Sequence, residues 1–267
     1  MRALKILLSG ALLSLMLNIH AAEQPKEIWP KVRLGLFQDR PIEEGEGSIL
    51  QLEAPERAAD AAIVPLSIKT QFVQSPEKYI QRIYLIIDKN PSPVGAVFHL
   101  TPDSGRADID TRVRIEEYTD VRAIAEMSDG KLFMTTQYVK AAGGCSAPAG
   151  KDQEAALARI GKMKFRLDDK IALNQPNVAQ LMISHPNNSG LAMDQLTRLY
   201  VPAHFVRRVE VTYAGRPILT ADIDFTISED PNFRFYFVPR EEGELKAQVV
   251  DTKDLEFKSS VKVNPGS

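Results

Sequence analysis

Apolar and polar residues alternate along much of this chain with the two-residue period of a strand buried on one face. Ile109, Thr111, Val113 and Ile115 alternate with Asp110, Arg112, Arg114 and Glu116. Val121, Ala123, Ala125 and Met127 alternate with Asp120, Arg122 and Glu126, and Ile124 is the one break. The same pattern returns in Ala221, Ile223, Phe225 and Ile227, and in Leu245, Ala247 and Val249. Three more continuous apolar runs, 63–68, 80–87 and 178–183, read as strands buried on both faces. Turn residues punctuate them at Asp88-Lys89-Asn90-Pro91, Thr101-Pro102-Asp103-Ser104-Gly105, Ser128-Asp129-Gly130 and Ala214-Gly215-Arg216, the last two at hairpin spacing. Helical periodicity is scarce: residues 55–62 fit two turns, and 151–160 is helix-compatible. The pattern predicts an all-β chain of two immunoglobulin-like antiparallel β-sandwich domains, 27–140 and 161–263, joined by a flexible Cys-bearing linker at 141–160. No equal-length repeat is visible.

The first 22 residues stand apart. Arg2 and Lys5 precede a short apolar run from Ile6 to Ile19, and Ala21-Ala22 offers a small-residue exit. That is the pattern of a secretory signal peptide, and it predicts a mature protein in the periplasm with no membrane insertion. Without Arg2 and Lys5 the chain carries 31 basic residues against 35 acidic ones, a net charge of −4. No basic stripe is present, so nucleic acid is not an expected partner. Trp29 and Pro30 are expected to pin the N-terminus to the first sandwich, and Glu43-Glu44-Gly45-Glu46 and Glu241-Glu242-Gly243-Glu244 to be solvated loops.

The chain has one cysteine, Cys145, in Lys140-Ala141-Ala142-Gly143-Gly144-Cys145-Ser146-Ala147-Pro148. An internal disulfide is therefore excluded, and an odd cysteine in an oxidising compartment is an intermolecular or a working thiol. Gly143 and Gly144 lack the Cβ that restrains a backbone, so they predict a mobile tether and an exposed thiol. Lys140 and Lys151 are the nearest charges and imply no strong activation of that thiol. A catalytic cysteine would need a positioned base, for which His99, His185 and His204 are the candidates. Structural hydrogen bonds at loop ends are the plainer reading of these histidines. His185 and His204, with no second cysteine, do not make a metal site by themselves, and no phosphate-binding or hydrolase motif appears. No cofactor is expected.

Four segments of the first half resemble the sulfur-carrier subunit SoxY. They are Ile63-Val64-Pro65-Leu66-Ser67-Ile68-Lys69, Ile87-Asp88-Lys89-Asn90-Pro91-Ser92-Pro93, Thr111-Arg112-Val113-Arg114 and Val121-Arg122-Ala123-Ile124-Ala125-Glu126, followed by the Gly143-Gly144-Cys145 arm. Ser184-His185-Pro186, Gly190-Leu191, Val201-Pro202-Ala203-His204-Phe205-Val206 and Val211-Thr212-Tyr213-Ala214-Gly215 resemble SoxZ, the subunit that pairs with it. Their fusion in one chain is similar to the quinoprotein dehydrogenase-associated SoxYZ-like carriers. The resemblance implies a carrier and not an enzyme. Cys145 would hold a small sulfur-containing intermediate, as in thiosulfate oxidation, and present it to periplasmic redox enzymes. A quinoprotein dehydrogenase and its cytochrome would be among them, and His185 and His204 would lie beside the arm. The alternative is a non-covalent partner or assembly factor of such a dehydrogenase.

Two departures from the family pattern bear on this. SoxY ends at its arm, with glycines after the cysteine, whereas here Ser146-Ala147-Pro148 follows and the chain continues. A ten-residue tether anchored at both ends spans roughly 17 Å by chain statistics. The SoxZ pattern His-Pro-Met-Glu-Thr-Gly is altered to His185-Pro186-Asn187-Asn188-Ser189-Gly190.

Overall fold

Ile109, Thr111 and Val113 point inward from a strand whose Asp110 and Arg112 stay half-exposed, and most of the expected alternation becomes strand in this way. The computed structural model describes residues 27–44, 49–147, 153–195 and 197–266. The leader sequence, Gly45 and Glu46 of the first acidic cluster, and 148–152 of the linker lie outside the described residues.

The first half contributes β1 (Ile42–Glu44), β2 (Leu50–Glu53), β3 (Val64–Thr70), β4 (Ile80–Ile87), β5 (Val94–Leu100), β6 (Ile109–Val113), β7 (Thr119–Met127) and β8 (Leu132–Val139). The second half contributes β9 (Met163–Leu167), β10 (Asn177–Ile183), β11 (Val206–Tyr213), β12 (Arg216–Ile223), β13 (Asn232–Phe237), β14 (Gly243–Asp251) and β15 (Glu256–Val263). Ala214 and Gly215 both have positive φ, the two-residue turn that matches strand twist between β11 and β12.

The two halves are immunoglobulin-like sandwiches, but they are not separate bodies on a string. One sheet runs β1-β8-β7-β4-β5-β12-β11-β14-β15 and the other β2-β3-β6-β13-β10-β9. Strands β2 to β8 and β9 to β15 therefore occupy equivalent places in the same order, related by a pseudo-two-fold between β5 and β12. The repeat hidden in the sequence is a repeat of topology. At the seam β5 pairs antiparallel with β12, with Phe98 opposite Ala221 and Leu100 opposite Leu219. In the other layer β6 meets β13 at Asp110 and Arg234. Inward residues of both layers merge into one apolar cluster across the seam, where Phe98 meets Phe233 edge-on at 6.1 Å.

Helix α1 (Ile28–Phe37) packs across the outer face of the first half. Phe37 sits with Ile86, Ile124, Leu132 and Met134 in a second apolar cluster, with Trp29 and Val32 against it. This helix explains why residues 80–87 are apolar on both faces and why Ile124 breaks the alternation. Trp29 also stacks on the Arg122 guanidinium at 4.8 Å. The other two continuous runs differ from expectation. Around Val64–Ile68 and Val178–Ile183 only alternate residues are buried, because among the described residues no further layer covers the outer face of the six-stranded sheet there. Residues 55–62 form no helix, and α2 (Gln153–Ala158) is the helix of the linker.

Candidate functional site: the cysteine arm

The Gly-Gly-Cys segment is docked, which corrects the expectation of a mobile tether and an exposed thiol. Gly143 donates its N–H to the Glu116 carbonyl at 2.8 Å, and Gly144 donates to the Ile115 carbonyl at 2.9 Å. The arm thus docks as a turn against the segment that follows β6. Ile115 in turn donates to the Ala61 carbonyl at 2.9 Å. Gly144 is required at this crossing: a Cβ there would stand 2.0 Å from the Ala61 carbonyl oxygen. Gly143 faces open space but has φ +81°, a conformation that favours glycine.

The Glu116 carboxylate closes the clasp. Its Oε2 accepts the N–H of Cys145 at 2.8 Å and that of Ser146 at 3.1 Å, and its Oε1 accepts the Ser146 hydroxyl at 2.7 Å. From the second half, Ser189 Oγ donates to the Cys145 carbonyl at 2.6 Å. The arm therefore sits in the seam between the halves, with contacts from both. Cys145 is only 1% exposed.

Beside Cys145 lies a cavity of about 220 Å³, lined by Asp60, Ile63, Arg114, Ser189, Ala192 and Glu229 among others. Arg114 is 8% exposed although its strand position alternates with the core. Its Nη1 donates to the Phe225 and Ile227 carbonyls at 2.7 and 2.9 Å, and its Nη2 reaches the Pro186 carbonyl at 3.5 Å. Burial of the Cys145 thiol, reinforced by Glu116 and Asp224 and only partly opposed by Arg114, pushes its pKa up to about 12. At pH 7 the docked thiolate fraction is then on the order of 10⁻⁵. A docked Cys145 is an inert thiol, and nucleophilic work requires the arm to leave.

The sign of that shift gives a testable pH dependence. An undocked thiol ionises near its ordinary value of 9.0, whereas the docked one holds its proton to about 12. Docking is fully favoured below the lower value and weakens as pH rises through that window. Amide exchange at residues 143–146, corrected for the intrinsic effect of pH, should lose roughly fivefold in protection between pH 9 and 10. Cys145→Ser should not show this loss.

The structure brings His185 and His204 together, with Asp251 as the residue that local sequence reading missed. Their rings meet edge-on at 4.7 Å. His204 Nε2 lies 2.7 Å and His185 Nε2 3.4 Å from Asp251 Oδ2, while Asp251 Oδ1 accepts the N–H groups of Lys253 and Leu255. The three could converge on a metal ion by distance alone. Their protonation argues otherwise: Asn187 N–H donates to His185 Nδ1, so the proton resides on Nε2, the very atom a metal would need. A ligating histidine normally donates its second nitrogen to an acceptor.

The group is instead a buried hydrogen-bond network that shapes the loop beneath the arm. His204 N–H donates to the Asn188 carbonyl, and Asn187 reaches the Ile227 carbonyl and the Val206 N–H. The histidines do not line the arm's cavity, whose wall takes Asn188 and Ser189 of the same loop. His99 lies elsewhere on the seam, 2.9 Å from Asp222. Glu241 and Glu242 are exposed, and Glu241 pairs with Arg216.

Glu116, Arg114 and Ser189 are the functional residues that motif reading did not single out as a site. The available signal was the charged half of an alternating strand end, Arg112, Arg114 and Glu116, which reaches the arm.

The double sandwich thus holds its sole cysteine buried on a glycine arm docked between the two halves. Residues 34–145 match the family model of the sulfur oxidation protein SoxY, and residues 165–262 match that of the sulphur oxidation protein SoxZ. The chain belongs to the sulfur-oxidation carrier proteins as a single-chain SoxYZ-like fusion. Cys145 is the last residue of the SoxY match.

Among solved structures, the sulfur carrier protein SoxY from Chlorobium limicola f thiosulfatophilum is 24% identical. That match covers 43% of this chain and 91% of that one, with a TM-score of 0.36. A superoxide reductase (neelaredoxin) from Ignicoccus hospitalis is 14% identical over 43% of this chain and 88% of that one, with a TM-score of 0.31. No curated protein matches the chain.

Proposed function

We propose that the protein is a periplasmic covalent carrier that holds a small sulfur-containing intermediate on Cys145 and presents it to partner redox enzymes. The observation that carries this reading is the placement of the sole cysteine. It ends the SoxY match, on a Gly-Gly arm held in the seam by hydrogen bonds to Glu116, Ile115 and Ser189. Docked, the thiol is sheltered; undocked, it regains ordinary reactivity. The leader pattern of residues 1–22 supports the periplasmic location. The fused arrangement, with the chain continuing past the arm, supports a quinoprotein dehydrogenase and its cytochrome as the partner system.

One observation favours a second reading, a non-covalent partner of that dehydrogenase. The thiol at rest is buried and protonated, as a purely structural cysteine would be. Intact mass measured on protein from its native source, before and after reduction, with the modified peptide mapped, separates the two. A reducible increment confined to Cys145 supports the carrier. A bare thiol while the pathway is running, with function retained in Cys145→Ser, would establish the non-covalent role instead.

A further inference from the structure

Among the described residues, the environment of Cys145 carries more negative than positive charge. Asp60 and Glu229 line the cavity, and the Glu116 carboxylate lies directly on the arm's N–H groups. Asp224 is half-buried nearby, and desolvation raises its carboxyl. Among the described residues Arg114 is the one cation in the wall, and its guanidinium is already turned onto the carbonyls of Phe225, Ile227 and Pro186. The cavity is also small, at about 220 Å³, below the range of roughly 300 Å³ and upward in which drug-sized ligands bind.

Resting on the carrier reading, we propose that the charge of the cargo releases the arm. A bare thiol, or a small uncharged adduct, stays docked in the seam, whereas an anionic adduct on Cys145 holds the arm out. The physical reason is differential stability of the two arm states. Docking an anion strips its water and sets it among Glu116, Asp60 and Glu229, with a single guanidinium in return. Undocked, the same anion is solvated. The behaviour of the thiolate bounds the effect: a rise from 9.0 to about 12 corresponds to on the order of a thousandfold weaker docking of the charged form. A diffuse oxyanion, larger than a thiolate and carried further from Glu116, falls below that ceiling. An empty carrier would then be closed, and loading with an anion would itself present the cargo.

The test loads the full chain chemically, so it does not depend on what the cell attaches. With tetrathionate, the Cys145 thiolate attacks a central sulfur; the central S–S bond breaks and thiosulfate leaves with the electron pair. The protein keeps an anionic S–S–SO3 group, and the thiol proton goes to solvent. With methyl methanethiosulfonate, the thiolate takes a neutral S-methyl group and methanesulfinate leaves. Both reagents act on the transiently undocked arm over long incubation.

Amide exchange of residues 143–146 is then compared in the two adducts and the bare thiol. We expect the neutral adduct to be protected like the thiol, and the anionic adduct to exchange at least tenfold faster. Glu229→Gln, which removes one wall charge without touching the arm's hydrogen bonds, should narrow that gap. Equal protection of the two adducts, or better protection of the anionic one, overturns the proposal. So does equal loss from both, which would make size the cause. None of these outcomes bears on whether Cys145 carries cargo in the cell, which the native mass decides.

Discussion

Gly144→Ala should turn Cys145 from a sheltered thiol into an accessible one, with its alkylation by iodoacetamide at neutral pH rising about a hundredfold or more. The added methyl would stand 2.0 Å from the Ala61 carbonyl oxygen, 2.6 Å from its carbon and 2.8 Å from the Ile115 nitrogen. All three are backbone atoms in a bonded ladder, so no side chain can swing aside to relieve the contact. The arm must leave instead. What it gives up is four backbone N–H donations and two hydroxyl bonds, three of them to a carboxylate. At a net 0.5–1.5 kcal/mol each, somewhat more for those to charge, these exceed about 3 kcal/mol, which is a factor of about 100 in the undocked population. Gly143→Ala is the control: nothing lies within 4 Å of its Cβ, and only the positive φ of +81° is strained, at about 1 kcal/mol. It should raise alkylation by roughly tenfold or less. Equal and unchanged rates in both variants would mean that the docked arm is not the resting state.

Glycine also explains how much of this site could be read beforehand. Two glycines before a lone cysteine signal freedom from a Cβ, and that freedom was read as motion. The structure uses it for close approach at Gly144 and for a left-handed turn at Gly143. Nothing local distinguishes these uses, because the atoms that crowd Gly144 come from Ala61 and Ile115. The same distance hides the seam. Ala221 belongs to an alternating strand and Phe98 to the apolar stretch Val94–Leu100, and no local pattern says that the two strands pair. Asp251 was missed likewise: it ends β14, 47 residues beyond His204, and becomes a partner only once the sheet is folded.

Single strands, by contrast, were legible wherever one face meets the core, as in Ile109–Val113. Helix α1 was not. It has no side-chain cap and no acidic residue in its first turn, and it contains Pro30 and Gly35. Packing of Phe37 onto Ile86 and Ile124 holds it in place of propensity. Its indirect trace was the doubly apolar run at 80–87, which α1 covers, although the equally apolar runs at 63–68 and 178–183 have no such cover among the described residues.

Acid should destabilise the second half of the protein in a definite window, through the network under the arm. Burial and the neighbouring His204 lower the His185 pKa to about 4, against the favourable pull of Asp251. Burial by itself would raise the Asp251 carboxyl. Hydrogen bonds from His204, from the backbone of Leu255 and Lys253, and from His185 outweigh it and hold the group below its ordinary value. In the unfolded chain His185 takes a proton near 6.5; in the folded one it waits until about 4. Between these values the unfolded state binds more protons, so stability rises with pH there and is lost as pH falls from 6.5 towards 4. The full window amounts to about 3 kcal/mol from this one side chain. Asp251 adds to the loss at still lower pH, since a lowered carboxyl stabilises only while ionised. Urea unfolding at pH 7, 5.5 and 4 should show the decline, and His185→Gln, though less stable at pH 7, should flatten it across the same interval. Because Asn187, Asn188 and Ser189 are positioned by these histidines, Cys145 should become alkylatable at a milder acidity than global unfolding requires. A decline that persists unchanged in His185→Gln would assign the acid sensitivity to other groups and leave the histidine pair a passive part of the core.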